Sequence, residues 1–266
     1  MQETWMAEGP VVLTFEDGVA LLTLNRPEVA NGMNLDMMKA IHAAVLTCHG
    51  ESRVRAVHLR GAGKHFCAGG DVADFASRGD GIGDYLKEVT AWLQMAVAAM
   101  IRLDAVVVTE VHGFAAGGGG LGLVCASDIV IASGTAKFMA GATRVGMAPD
   151  AGASAILPAL VGFRRAMDIV LTNRAVPADE AERIGLITKS VPDGTQTDRA
   201  AEMAAIMAKG APMAQAAAKR MLWNAVGVEG CLAEEARTVA SLSRTADSRE
   251  GLAAVIEKRS PTFTGT

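Results

Sequence analysis

From Val11 to Val191 the sequence keeps changing its hydrophobic period, and that alternation limits the fold more than any other feature. Short β-branched runs are separated by stretches with apolar residues at helical spacing, a pattern that implies an α/β arrangement. Residues 11–25, "VVLTFEDGVALLTLN", read as two strands joined at Asp17-Gly18. Asn34 is placed to cap a helix running to about Cys48, with Met37, Met38, Ile41, Ala44 and Val45 on its apolar side. "AVHLRGAG" reads as a third strand, and "GKHFCAGGDVADF" as a glycine-containing loop entering a short helix. Residues 82–101 form a longer helix with Trp92, Met95, Val97 and Met100 expected in the core. "AVVVTEVHGF", "DIVIAS" and "AKFMAGA" are further strands, and "GGGGLGLVCAS" is a turn running into a helix. Beyond Asp150 the pattern is helical apart from the strand "LITKSVP". After about Pro192 the chain becomes Ala-rich, so we expect a core domain over 1–200 and a helical region over 201–266.

Several classes are disfavoured. The net charge of −4 comes without a basic block, which argues against a nucleic-acid partner. The longest uncharged stretch, Val111 to Ser127, is glycine-rich and too short for a membrane span. The start "MQETWMAEGP" has no charged region followed by an apolar one, so a cytoplasmic protein is expected. Cys48, Cys67, Cys125 and Cys231 form no CxxC pair and read as reduced, mostly core thiols. His42, His49, His58, His65 and His112 show no metal-ligand spacing, and "HAAVLTCH" fits a helix surface.

The run "GGGGLG", residues 117–122, fits GxGxxG through Gly117, Gly119 and Gly122. A dinucleotide site would need an acid about 20 residues further on to hold a ribose, and Ile129 to Pro149 contains none. A better use of the same geometry is an oxyanion hole, in which glycines at a helix start let backbone N–H groups face a ligand. Gly70 in "FCAGGD" can supply a second donor. Close packing is the alternative role for both clusters.

Asp150 stands out in "VGMAPDAGAS", the one charge in an apolar and small-residue setting. Locally it suits the N-cap of a following helix. Glu110, in an apolar strand, is a weaker candidate and is expected to pair with Arg102 or Arg144. Asp71 and Asp128 are expected to fix loops and caps.

Six segments in order resemble the crotonase, or enoyl-CoA hydratase/isomerase, family. They are "LTLNRPEVANGMN" (22–34), "VRAVHLRGAGKHFCAGGDVADF" (54–75), "VHGFAAGGGGLGLVCASDIVIAS" (111–133), "AKFMAGATRVGMAPDAGAS" (136–154), "LPALVGFRRAMDIVLTNRAVPADEAERIGLI" (157–187) and "SREGLAAVIEKRSPTFTG" (248–265). The resemblance implies a spiral of ββα units with a C-terminal helical trimerisation region, assembled as a homotrimer or a dimer of trimers. It also implies acyl-CoA thioester substrates, with CoA carried by the substrate and no metal or other cofactor. The shared step is an enolate-like oxyanion held by two backbone N–H groups. One donor carries over to Gly70. The other falls on Gly118 or Gly119, because the glycine stretch is one residue longer than the family pattern. CoA contacts carry over to Glu28, Val29, Ala30, Ala68, Lys258 and Phe263, although a basic residue would suit the position of Glu28 better.

The family's hydratases use two glutamates. Here one position holds Leu121 or Gly122, depending on register, and the other holds Ala142, placed on the strand after "AKF". Hydration needs an acceptor for the water proton and a donor for the α-carbon, so it is disfavoured. Asp150 matches the working aspartate of the double-bond isomerases and of the 4-chlorobenzoyl-CoA dehalogenases. The dehalogenases also need a histidine on the preceding long helix, and residues 82–104 contain none. The resemblance thus favours an isomerase that uses Asp150 as base and acid. The alternatives are a hydratase or other acyl-CoA lyase, and a non-catalytic acyl-CoA-binding homologue.

Overall fold

The N-terminal hairpin sets the edge of a seven-stranded sheet. The computed structural model describes residues 1–264, so Gly265 and Thr266, the end of the expected helical region, lie outside the described residues. Strand β1 (Glu3–Met6), for which the sequence reading made no provision, pairs antiparallel with β2 (Val11–Glu16). β2 turns into β3 (Val19–Leu24) through Asp17 and Gly18, both at positive φ (48° and 85°), as the hairpin signal requires. Helix α1 (Leu35–Gly50) starts where the side chain of Asn34 accepts the N–H of Met37. Then come β4 (Ala56–Gly61), the short α2 (Val72–Ala76) and the long α3 (Ile82–Arg102).

The apparent strand at 105–114 is two strands, β5 (Val106–Val111) and β6 (Phe114–Ala116), which belong to different sheets. A π-helical turn, Gly118–Gly122, leads into α4 (Leu123–Cys125). β7 (Ile129–Ser133) and β8 (Lys137–Met139) repeat the division between sheets. A 3-10 turn over Ala142–Val145 precedes α5 (Ala153–Val161) and α6 (Phe163–Thr172). After β9 (Val176–Pro177), α7 (Ala178–Arg183) and β10 (Lys189–Val191), four helices complete the chain: α8 (Gln196–Ala208), α9 (Pro212–Asn224), α10 (Glu229–Leu242) and α11 (Ala246–Ile256).

The large sheet has the order β1-β2-β3-β4-β5-β7-β10, with every pair from β3 onward parallel. Each turn of the chain also adds a short piece to a second layer. Met33 bridges Gly70, Cys67 bridges Ala115, and β6 pairs parallel with β8. This is an α/β spiral of ββα turns. β5 is buried along its whole length, as expected for a parallel strand covered on both faces. α8 covers one face, where Ala200 and Ala204 pack on Ala56, Val108 and Ile131. Residue 200, the expected division, therefore lies inside a helix seated on the sheet.

Two core assignments on α3 need correction. Met95 is 41% exposed and Trp92 is only half-buried, packed edge-on against His42. The helix buries the expected Val97 and Met100, and with them Leu86, Val89, Leu93 and Ala96, one turn-spaced stripe. Glu110 also departs from expectation. Arg102 pairs with Glu229, while Glu110 takes a hydrogen bond from Thr197 (2.7 Å) and lies 3.3 Å from Nε2 of His58. Burial pushes its carboxyl up, but the His58 and Thr197 interactions outweigh that and hold it below the usual range. It sits between the sheet and α8, away from the cavity described below. Asp128 accepts from the Val107 N–H and from the indole of Trp223, and pairs with buried Lys219 at 2.7 Å, so it ties α9 to the sheet.

Candidate active site

The second layer brings two glycine-bearing segments side by side. Cys67 N–H donates to Phe114 O and Ala116 N–H to Cys67 O, so Gly70 and the glycine run leave parallel neighbouring pieces at the same end. Gly117 turns at φ 61° and ψ −171°, a combination that only glycine adopts without cost. The following five residues form the π turn. An extra residue in a helix is commonly absorbed this way, often at functional sites.

Among the described residues, and apart from bonds within a helix or strand, no hydrogen-bond acceptor reaches the N–H groups of Gly70, Gly118 or Gly119. The first N–H groups of a helix have no partner within it, so this end is left with unspent donors. A Cβ on Gly118 would lie 1.6 Å from Oδ1 of Asp150, whereas one on Gly119 would strike Met33 and Cys67 in the core. The α-carbon of Gly118 thus faces Asp150, whereas the side-chain position of Gly119 points into the core, although both glycines line the cavity. At Gly70 a Cβ would meet the Phe75 ring at 2.3 Å.

These residues line a cavity of about 650 Å³, a size typical of small-molecule sites. Its walls include Met38, Phe75, Leu86, Val89, Leu93 and Leu252, and Asp150 is the only carboxylate among its described lining residues. Asp150 does not cap α5. The cap position is Gly152, at φ 76°, and the leading N–H groups are taken from outside by the side chain of Glu235, from Gly152 (2.7 Å) and Ser154 (3.0 Å). No hydrogen bond from another described residue's side chain or backbone reaches the Asp150 carboxyl. Burial, the nearby Glu235 charge and, in the opposite sense, its own N–H leave that carboxyl pushed up to about 7.

The remaining expected site residues divide. Ala68, Ala142 and Lys258 line the cavity. Ala142 begins the 3-10 turn and is not on the strand as expected, because β8 ends at Met139. Leu121 is buried in the core, and a Cβ on Gly122 would strike Ala151 at 2.5 Å. Glu28 and Val29 sit on an exposed turn outside the cavity lining. Ala30 is joined to Ala68 by a backbone bond of 3.0 Å, which puts that turn beside the Gly70 loop. Phe263 is 44% exposed and does not line the cavity, whereas Lys258, at φ 55°, lines the cavity of its own chain. Asp71 caps α2 through the Asp74 N–H and pairs with Arg26 at 3.0 Å, which fixes the Gly70 loop. Burial pushes the Cys67 thiol beneath this loop up to about 12, so it stays protonated.

Glu235 was missed in the sequence. Its signal was a carboxylate interrupting the helical stripe Val228, Leu232, Val239, Leu242.

Comparisons with known proteins cover nearly the whole chain. A family model described as Enoyl-CoA hydratase/isomerase matches residues 14–266. A probable enoyl-CoA hydratase of Rhodobacter capsulatus is 39% identical over 251 residues, covering 94% of this chain and 95% of that protein. The 1,2-epoxyphenylacetyl-CoA isomerase of Escherichia coli is 34% identical over 255 residues, covering 94% and 96% respectively. The crystal structure of an enoyl-CoA hydratase from Mycobacterium avium subsp. paratuberculosis superposes with a TM-score of 0.88 at 30% identity, covering 96% of this chain and 99% of that one.

Proposed function

Because this chain belongs to the enoyl-CoA hydratase/isomerase family, we propose that it is an enoyl-CoA isomerase that moves a 3,4 double bond into conjugation with the thioester. The observation that carries the reading is the lone carboxyl of Asp150, facing Gly118 on an apolar cavity. The substrate's carbonyl oxygen takes the N–H groups of Gly70 and Gly118. Asp150 removes a proton from C2, and the resulting dienolate charge is held by the two donors, each worth about 10²–10³ in rate. The protonated Asp150 then delivers its proton to C4. A group that is base and acid in turn works best with a pKa near the working pH, which burial and Glu235 provide.

The CoA portion is assigned to Ala68 and Lys258 on the cavity lining, with Glu28, Val29, Ala30 and Phe263 as its further contacts. The reading invokes no cofactor beyond this CoA. A homotrimer or dimer of trimers is part of it. Exposed Met213, Met221 and Leu222 on α9, with Phe163 and Leu171 on α6, supply apolar surface to bury. Among the described residues no helix is long and apolar enough to cross a membrane.

A second reading, hydration of 2-enoyl-CoA, is favoured by the names of relatives such as the Rhodobacter capsulatus protein. It must manage with one carboxyl where the family pattern has two. A two-substrate assay separates the readings: 3-enoyl-CoA conjugation and 2-enoyl-CoA hydration are followed by absorbance with short, long and aryl acyl groups. Conjugation without hydration supports the isomerase. Hydration alone replaces it, and binding without either reaction points to a non-catalytic homologue.

A further inference from the structure

Asp150 is followed by two residues in the left-handed region, Ala151 at φ 58° and Gly152 at φ 76°. A non-glycine residue there is strained, and such strain persists only where surrounding structure enforces it. The enforcement comes from two sides. Ala151 is fully buried, against the glycine run at Gly122. From the other side α10 sends in Glu235, itself 5% exposed, whose two oxygens accept the N–H groups of Gly152 and Ser154 at 2.7 and 3.0 Å. Those are the groups an aspartate at the start of α5 would otherwise take.

We propose that Glu235 is a positioning residue for Asp150: it occupies the N–H groups at the start of α5, clamps the Asp150-Ala151-Gly152 turn, and keeps the Asp150 carboxyl on the cavity, free to exchange a proton. The proposal rests on the isomerase reading for its consequence but not for its geometry. The Glu235 charge also favours the protonated form of Asp150, whereas capping would favour the ionised form. The other charged or titratable groups near Asp150 are Cys231 on α10, beside Glu235, and Arg144, Lys258 and Arg259 on the cavity lining. α3 presents only uncharged side chains to the cavity.

The test is a carbon-13 NMR titration of the full-length protein labelled at aspartate carboxyls. The Asp150 signal is assigned by its loss in Asp150→Asn. In Glu235→Gln the Asp150 midpoint is expected to fall by about one pH unit or more, because charge and half the clamp are lost together. The conjugation kcat is expected to fall roughly 10-fold at neutral pH with KM little changed, and the acid limb of the rate profile should move with the midpoint. Glu235→Asp, with a shorter arm, should give an intermediate shift and partial rate. It serves as the test if Glu235→Gln does not fold. An unmoved Asp150 midpoint in a folded variant overturns the proposal, even if the isomerase assay succeeds. A moved midpoint in a protein that leaves 3-enoyl-CoA unchanged upholds it and overturns the isomerase reading instead.

Discussion

The carboxyl of Asp150 rests on the α-carbon of Gly118, so close that a Cβ there would stand 1.6 Å from Oδ1 and 2.4 Å from Cγ. Position 118 has room for nothing larger than glycine because this carboxyl is packed against it. In the proposed mechanism, the base and one oxyanion donor are therefore placed by the same contact.

Gly118→Ala must displace Asp150, and conjugation is expected to fall at least about 100-fold, since a misplaced base and a disturbed donor act together. Gly119→Ala instead pushes on Met33, Cys67 and the Gly69 carbonyl, and should lower stability by about 1–3 kcal/mol. Kinetics alongside urea unfolding of both variants checks this. Equal stability losses with equal activities would contradict the assignment of Gly118 to the cavity.

The rate should depend on the ionised form of Asp150. With the carboxyl pushed up to about 7, kcat/KM for conjugation is expected to drop tenfold per unit as pH falls below that value. A profile flat from pH 5 to 8 would remove Asp150 as the base.

The same shift has a stability consequence. The ordinary value is 3.8 and the folded value about 7, so between these the folded protein holds a proton that the unfolded chain has lost. Stability is greatest below about 4 on this account and declines as pH rises to about 7, by up to about 4 kcal/mol, then stays level. Asp150→Asn has no such slope. Its stability advantage over wild type should be small at pH 4 and reach a plateau above pH 7, measured by urea midpoints across that range. The trade is a familiar one, in which a working group is held at a cost to the fold.

Much of this arrangement was legible because it is local. Asn34 caps α1 as its sequence demands, and Asp17-Gly18 makes the hairpin. Periodicity located most strands but not β1, whose short "ETWM" gains its conformation only by pairing with β2. It also merged β5 with β6, because a period of two cannot tell that the chain changes sheets at His112-Gly113. At the site, glycines and Asp150 could be named, with local sequence suiting Asp150 to a cap and the family resemblance favouring a base. The residue that takes the N–H groups a cap would use, Glu235, lies far along the chain, and only packing of α10 brings it to the start of α5. The partner of Glu110 was misjudged for the same reason: His58 faces it across neighbouring strands, a relation set by sheet order.

Lys258 lines the cavity and has no ion-pair partner among the described residues. Lys258→Ala is expected to raise KM for acyl-CoA about fivefold, the worth of an exposed charge contact of about 1 kcal/mol, with kcat unchanged and the effect fading in high salt. An unchanged KM at low salt would move the CoA phosphates away from this end of the chain.

The most direct measurement is the turnover of 3-enoyl-CoA by wild type and Asp150→Asn at pH 7.5 or so, with acyl-CoA binding and folding checked in both. The account predicts a fall of at least about 100-fold in kcat with binding retained, since no other carboxylate on the described cavity lining can carry the proton. Comparable turnover in the two proteins would contradict it and return Asp150 to a structural role.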